Sequence, residues 1–379
     1  MKISSKKLLV TIIIPILFIL ETTSCVKRKE NLQNILIKSN LVSYSAYFTV
    51  DTTNNTLEIT YPTNKKVTII IDTIRKNSVK RNDTIYLHTV NPSVIIGSTT
   101  FIGFLNVLDV KESIVGIQNK NIVYDSTLFK KIEANEIKDV QTPEGLDLEL
   151  ILKLKPTIVF LSYMPGNNIL PTIQKIESNG IIVIQIPDWL ETHPLGRMEW
   201  IKAFSIIFNK KSVAFSYANL VFKGYENIKK SVSHKSFKPK VMIGLSFNDQ
   251  WYVPSGNGYF GRLLFDAGFN YPFAKTTQNQ SIPLSKEEII TTCSDAEYWL
   301  NVTTAKSIKE VQTIERLAPT FQAFKNKNVF NYTKKLLQRG ANDFWESGVV
   351  NPHIVLKDLV WIASGTPSNY IPIYYTKLQ

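Results

Sequence analysis

Residues 211–232, KSVAFSYANLVFKGYENIKKSV, decide how the rest of the chain is read. Val213, Tyr217, Leu220, Val221 and Ile228 recur at three- and four-residue spacing, the pattern of a helix with one apolar face. Ser212 is placed to cap its start, and Lys229 and Lys230 suit the negative end of the helix dipole. At ~1.5 Å per residue the stretch makes a rod of about 33 Å. A strand-and-helix half precedes it and another follows. One stiff rod between two α/β halves points to two lobes with a cleft between them; a crossover helix inside one sheet would carry the same local pattern.

Outward from the rod, strands alternate with helices on both sides, which implies parallel sheets with right-handed crossovers. On the amino-terminal side, Thr84–Val90, Ile114–Ile117, Thr157–Leu161 and Ile181–Ile186 read as strands, and Phe101–Leu108, Leu148–Leu154, Ile169–Asn179 and Met198–Phe208 as helices. On the carboxyl-terminal side, Lys240–Ser246, Ala296–Val302 and Asn328–Tyr332 read as strands, with helices over Tyr259–Ala267, Lys286–Thr292, Ile308–Leu317 and Pro352–Ala363. Tyr44–Asp51, Thr56–Tyr61 and Lys66–Asp72 alternate apolar and polar residues and predict a small β-meander ahead of the first lobe.

The first residues read as a targeting segment. Lys2, Lys6 and Lys7 precede the apolar run Leu8–Leu20, and small polar residues lead to Cys25, the order of a secretory signal. The run is short for a membrane span. Thr23-Ser24-Cys25 resembles a bacterial lipobox, with Thr22 where Leu is usual, so Cys25 is the expected lipidation site; a plain signal peptide with an incidental cysteine is the alternative. Acyl chains contribute ~0.8 kcal/mol per buried CH₂, and Lys27, Arg28 and Lys29 suit an anionic lipid surface. The expected segments are 1–24 signal, 25–43 lipidated tether, 44–83 β addition, 84–210 first lobe, 211–232 linking helix and 233–379 second lobe. The expected location is outside the cytoplasm, membrane-anchored on the periplasmic side, which disfavours ATP- or NAD-dependent chemistry.

Composition narrows the function further. The 379 residues carry a formal charge of +13, and removing residues 1–24, with Lys2, Lys6, Lys7 and Glu21, leaves +11. That excess favours anionic ligands or a lipid surface. The lysines are scattered and no nucleic-acid motif is present, so nucleic acid is not an expected partner. Cys25 and Cys293 make no disulfide framework, and four histidines without H-x-H or C-x-x-C spacing give no dedicated metal site and no resident cofactor.

Two stretches echo each other across the rod. Leu146–Leu161 and Leu284–Trp299 each open a short helix with acids and run into a buried strand, and Glu149 and Glu287 fall at matching positions. Each acid suits its helix dipole locally. As a pair, one carboxylate per lobe would dock a partner carrying two basic sockets.

With these motifs in view, the chain resembles the substrate-binding lipoproteins of ABC importers for iron–siderophore complexes, haem and cobalamin, over roughly residues 44–379. The resemblance is carried by STTFIGFLNVL (98–108), SIVGI (113–117), LDLELILKLKPTIVF (146–160), HPLGRMEWIKAF (193–204), WYVPSGNGYFGRLLFDAGFNY (251–271) and GANDFWESGVVNPHIVLKDLV (340–360). It implies an α/β fold of two Rossmann-like lobes bridged by one long rigid helix, with a small N-terminal β addition. It also implies a ligand in the interlobe cleft, little lobe movement, and docking of Glu149 and Glu287 onto arginines of an ABC transporter permease. The ending from Gly365 onward departs from the related branch and stays unexplained.

Ligands of open α/β lobes meet the loops at the carboxyl ends of strands. Those loops carry Tyr163, Trp189, Trp251, Tyr252, Phe344 and Trp345, whose faces suit a corrin, a porphyrin or catecholate rings, although each could equally pack under its own loop. Arg197 and Arg339 suit the carboxylates of a ferric siderophore or haem propionates. The expected ligand-binding set is therefore Tyr163, Trp189, Arg197, Trp251, Tyr252, Arg339 and Trp345. His193 and Glu346 are weaker candidates, set against structural roles. The sequence ranks ferric siderophore first, cobalamin second and haem third, for a non-enzymatic, monomeric receptor. Two rivals remain: a membrane-held binding lipoprotein without an importer, and a serine hydrolase. Gly244-Leu245-Ser246-Phe247-Asn248 nearly spells G-x-S-x-G, with Asp343 and His353 downstream, but Asn248 stands where Gly is needed.

Overall fold

Short branched-chain runs set the core of the first lobe. Strands Val94–Ile96, Ile114–Ile117, Lys138–Asp139, Ile158–Ser162 and Ile182–Ile186 form one parallel sheet in the computed structural model, with the first strand central, flanked on one side by the second and third and on the other by the fourth and fifth. Val94, Ile95, Ile96, Ile158, Val159 and Phe160 are fully buried, as expected of a sheet covered on both faces. The order of strand addition reverses between the parallel neighbours Val94–Ile96 and Ile158–Ser162, the switch point at whose carboxyl ends a crevice is expected. The structure describes residues 42–379 except 167–168, 235, 279–280 and 366–368. The expected signal segment, Cys25 and the tether up to residue 41 lie outside the described residues.

The second lobe repeats the plan with a different edge. Val241–Ile243, Tyr298–Leu300 and Val329–Asn331 are parallel, and Thr376–Lys377 closes the sheet antiparallel to Val329–Asn331. This accounts for the chain's ending. Asp358, fully buried, accepts the amides of Ile373, Tyr374 and Tyr375 and the Tyr370 hydroxyl, which fastens the last strand to the preceding helix. Four donors on one carboxylate offset the cost of burying its charge.

The linking helix covers Lys211–Val232. Its buried face differs from the expected one. Ala214, Phe215, Ala218, Val221, Tyr225 and Val232 are buried, whereas Val213 and Leu220 are 41% and 61% exposed. The small alanines let it lie close against helices Pro194–Ile207 and Pro352–Ser364. Ser212 makes no cap; Lys210 holds the N-cap position without a side-chain bond.

The β addition is larger than expected and the boundary moves. Phe48–Asp51, Thr56–Thr60, Lys66–Ile71, Val79–Arg81 and Thr84–Leu87 make one sheet, and Thr84–Leu87 pairs parallel to Lys66–Ile71 rather than opening the first lobe. The addition is bolted on at its start. Ser43, Tyr44 and Ser45 donate amides to Glu199, while the Ser45 hydroxyl and the Ala46 amide reach Glu191. Both acids belong to or precede helix Pro194–Ile207, all of whose residues are buried, and Lys202 pairs with Glu199 at 2.7 Å. Burial pushes the Glu191 carboxyl up to about 7 despite these donors.

Candidate functional site

The seam between the lobes begins at the crevice of the first sheet. Gly97 follows the central strand, where a Cβ would lie 3.0 Å from Leu161 Cδ2 and 3.1 Å from Phe160 O, so only glycine turns the chain there without displacing its neighbours. Ser98 then caps helix Thr99–Val107, its side chain accepting from the Thr100 amide. The Thr100 hydroxyl reaches across the seam and donates to Trp345 O at 3.2 Å.

Arg197 stands at the same place. It comes from the first turn of helix Pro194–Ile207, which His193 caps through Nδ1, accepting the Leu195 amide at 3.1 Å. Arg197 is 9% exposed, its Nε donates to Asp188 at 3.0 Å and its Nη2 to Thr100 Oγ1 at 3.4 Å. Its guanidinium faces two rings of the second lobe, Tyr259 at 5.7 Å and Trp345 at 6.0 Å. Asp188 is almost fully buried; burial raises its pKa and Arg197 opposes that rise. Burial likewise pushes the Tyr259 phenol up to about 12, with Arg197 opposing.

Behind Trp345 stands an aromatic wall. Tyr332 stacks on Phe344 at 4.6 Å, Phe260 lies parallel to Phe344 at 6.0 Å, and Trp345 meets Phe260, Phe344 and Tyr332 edge-on. Phe260, Tyr332 and Trp345 are only half-buried. A fixed cation from one lobe facing half-open aromatic faces of the other can hold a flat or ring-bearing anionic ligand. Beside it, a cleft of about 580 Å³ runs along the seam, lined by Gly103 and Tyr124 of the first lobe, Tyr217 of the linking helix, and Asp343, Glu346 and Asn351 of the second.

The other expected contacts divide. Trp189 is 36% exposed, and its indole N–H ties two first-lobe loops by donating to Tyr163 O at 2.7 Å. Tyr252 is 45% exposed on the hairpin Gln250–Val253. Tyr163 turns its ring to Tyr61 of the β addition, 5.0 Å away, and lines a small cavity there instead of the seam. Trp251 is a core residue: it is 1% exposed, packed on Trp299 and Phe321, and its N–H donates to Ile243 O. Arg339 spends its guanidinium across the seam, donating to Val123 O at 2.6 Å over the Phe129 ring. Tyr259, Phe260 and Tyr332 are not among the expected contacts; Tyr259 and Phe260 stand in the run Gly256-Asn257-Gly258-Tyr259-Phe260, and Tyr332 ends the strand predicted over Asn328–Tyr332.

The remaining candidates also find places. Burial pushes His193 down to about 4, aided by Arg262, and its ring packs on Tyr44 at 4.6 Å, so it caps a helix as a neutral imidazole. Cys293 is fully buried, and burial pushes its thiol up to about 11. Ser246 lies in the hairpin strand Ser246–Phe247, not at a strand–helix elbow, and its hydroxyl donates to Glu315 rather than to a histidine. Glu149 and Glu287 are both exposed, each the second residue of its helix, behind the caps Asp147 and Ser285.

A family model for periplasmic binding proteins matches residues 94–336. The chain belongs to the periplasmic binding protein family. The match begins at the central strand of the first lobe and ends after the last parallel strand of the second, so the linking helix, the whole first-lobe sheet and the parallel strands of the second fall inside it. An uncharacterized lipoprotein of Methanocaldococcus jannaschii is 26% identical over 71% of this chain, and the chain spans 64% of that relative's length. Among solved structures, a periplasmic heme binding protein from Pseudomonas aeruginosa has TM-score 0.57 at 15% identity, over 76% of this chain and 98% of that one. The triscatecholate siderophore binding protein of Bacillus subtilis has TM-score 0.52 at 17% identity, over 77% and 100%. At such identities these two establish a common two-lobed α/β fold. Among the described residues no helix is long and apolar enough to cross a membrane.

Proposed function

We propose that this periplasmic binding protein is the extracytoplasmic receptor of an ABC importer and takes up a metal–chelate complex between its lobes. The observation that carries the reading is the pairing at the seam: Arg197, fixed by Asp188 and Thr100 on one lobe, faces Tyr259 and Trp345 on the other. A ferric siderophore ranks first because catecholate rings and net negative charge use both halves of that pair; cobalamin and haem follow. Two structural neighbours bind, by their names, heme and a triscatecholate siderophore, which supports the ligand class. Lipid attachment at Cys25 would hold the receptor at the membrane, as the lipoprotein relative's name supports. Glu149 and Glu287, exposed at matched helix starts, would engage the permease.

Tryptophan fluorescence titration with ferric catecholate, cobalamin and haem tests this directly. Saturable quenching by one of them, weakened at least tenfold in Arg197→Met and Trp345→Ala, is expected. Binding that is indifferent to both substitutions would refute the seam as the ligand site.

A further inference from the structure

The start of the β addition lies beside the cation of the seam. Ser43, Tyr44 and Ser45 give their amides to the Glu199 carboxylate at 2.8, 2.8 and 3.0 Å, and Ala46 gives its amide to one oxygen of Glu191 at 3.0 Å while the Ser45 hydroxyl takes the other. Both carboxylates are buried, so no water stands ready to replace these donors. Each lies close in the chain to one half of the Arg197–Asp188 pair. Glu191 closes the turn Asp188–Leu190 by donating its amide to Asp188 O at 3.2 Å. Glu199 stands two residues after Arg197 on helix Pro194–Ile207. Between them, Gly196 lies against the Tyr44 carbonyl: a Cβ there would be 2.8 Å from Tyr44 O, so the segment touches the residue just before Arg197. The Tyr44 ring packs at 4.6 Å on His193, the cap of the same helix. Farther along the addition, Tyr61 donates to Gln185 O at 3.0 Å, near the end of strand Ile182–Ile186, which leads into Asp188.

We propose that residues 43–46 are a positioning clip for Arg197: through Glu191 and Glu199 the β addition holds the two short stretches that set the direction of the guanidinium. The family match starts at residue 94, so the clip lies ahead of it, while Asp188, Glu191, Arg197 and Glu199 fall within it. The ion pair does not fix its own direction. Arg197 Nε meets a single Asp188 oxygen at 3.0 Å, and the Nη2 bond to Thr100 Oγ1 is long at 3.4 Å. A pair joined at one point lets the guanidinium pivot unless both backbones are held, whereas a two-point fork would not. Freed of the clip, Glu191 and Glu199 become buried acceptors short of donors, and the turn and the helix start shift to admit water. An anion bound against Tyr259 and Trp345 needs that direction kept. The use of the clip in binding rests on the seam being the ligand site; its hold on Arg197 does not.

The Nε proton of Arg197 reports the hold without any ligand. The chain has seven arginines, so a ¹⁵N-arginine NMR spectrum of the purified full chain resolves this proton, assigned by its loss in Arg197→Lys. In wild type it should exchange with water about tenfold more slowly than that of the exposed Arg81. Ser45→Ala should speed its exchange about threefold and Ser45→Ala/Ala46→Pro about tenfold, while the amides of strand Ile158–Ser162 keep their wild-type rates. Ser45→Thr keeps the hydroxyl and should exchange as wild type does. Ser45→Ala leaves the backbone donors in place and decides by itself where the double variant does not fold. Unchanged Arg197 exchange in Ser45→Ala, exchange as fast in Ser45→Thr as in Ser45→Ala, or strand amides that speed up in step with Arg197 would each overturn the proposal. No ligand is present, so a seam that binds no anion would alter none of these rates.

Discussion

Gly103→Ala is the sharpest test of how the lobes meet. Gly103 lies inside helix Thr99–Val107, where replacing glycine by alanine ordinarily gains about 1 kcal/mol. Here a Cβ would lie 2.3 Å from Glu346 O, whereas ordinary contact begins at 3.4 Å. The obstacle is backbone, so the two helices must separate by about 1 Å. That displacement stretches Thr100–Trp345 from 3.2 Å and the bonds of the Glu346 carboxylate to the Tyr124 and Asp125 amides from 2.9 and 3.0 Å towards or beyond hydrogen-bond range. Overpacking costs about 1–3 kcal/mol, and weakening three bonds, two of them to a carboxylate, adds about 1–3. Net of propensity, Gly103→Ala should destabilise by about 1–5 kcal/mol, read in urea as a lower midpoint with an unchanged slope. Gly348→Ala, on the facing helix, is the control: its Cβ would meet Tyr374 at 3.5 Å, so it should be neutral or stabilising by up to about 1 kcal/mol. A Gly103→Ala protein as stable as wild type would refute the close approach.

Further outcomes follow from the same geometry. Arg197→Met leaves Asp188 buried without its partner and should cost about 3–5 kcal/mol; Arg197→Met/Asp188→Asn should recover most of that stability without recovering ligand affinity, measured by denaturation and titration in parallel. Glu191 holds its proton up to about pH 7 in the folded protein, against 4.5 in the open chain, so its contribution is full below 4.5 and fades as pH rises through 7. Glu191→Gln should therefore gain on wild type by about 3 kcal/mol between pH 4.5 and 8; parallel stability profiles would show that Glu191 does not titrate there. Glu149→Ala/Glu287→Ala should abolish uptake in the host while leaving ligand affinity intact, and normal uptake would remove the docking role. Cys293, buried with a raised pKa, should resist thiol reagents until the protein is denatured.

The sequence shows the rod and the alternation of strands and helices because both are periodic over many residues. It misplaces the inner face of the rod because Ala214 and Ala218 do the packing and weigh little in an apolar count. In Gln250–Val253 the strand period of two buries Trp251 and exposes Tyr252; reading the stretch as a loop hid this. Arg339 and Glu346 find partners more than 200 residues away, and no local pattern announces such pairs. The chemistry of their loops makes Arg197 and Trp345 candidates, but their meeting across the seam belongs to tertiary structure. Thr84–Leu87 reads from sequence as opening the first lobe because an inner strand of the addition and the first strand of a lobe look alike in isolation.

The account stands or falls on what occupies the seam. A crystal structure of the protein isolated from its native host, with mass spectrometry of whatever accompanies it, should reveal a metal chelate lying between Arg197 and the Tyr259–Trp345 face. A chelate bound elsewhere on the protein, or a co-purified molecule that is neither anionic nor ring-bearing, would contradict the account.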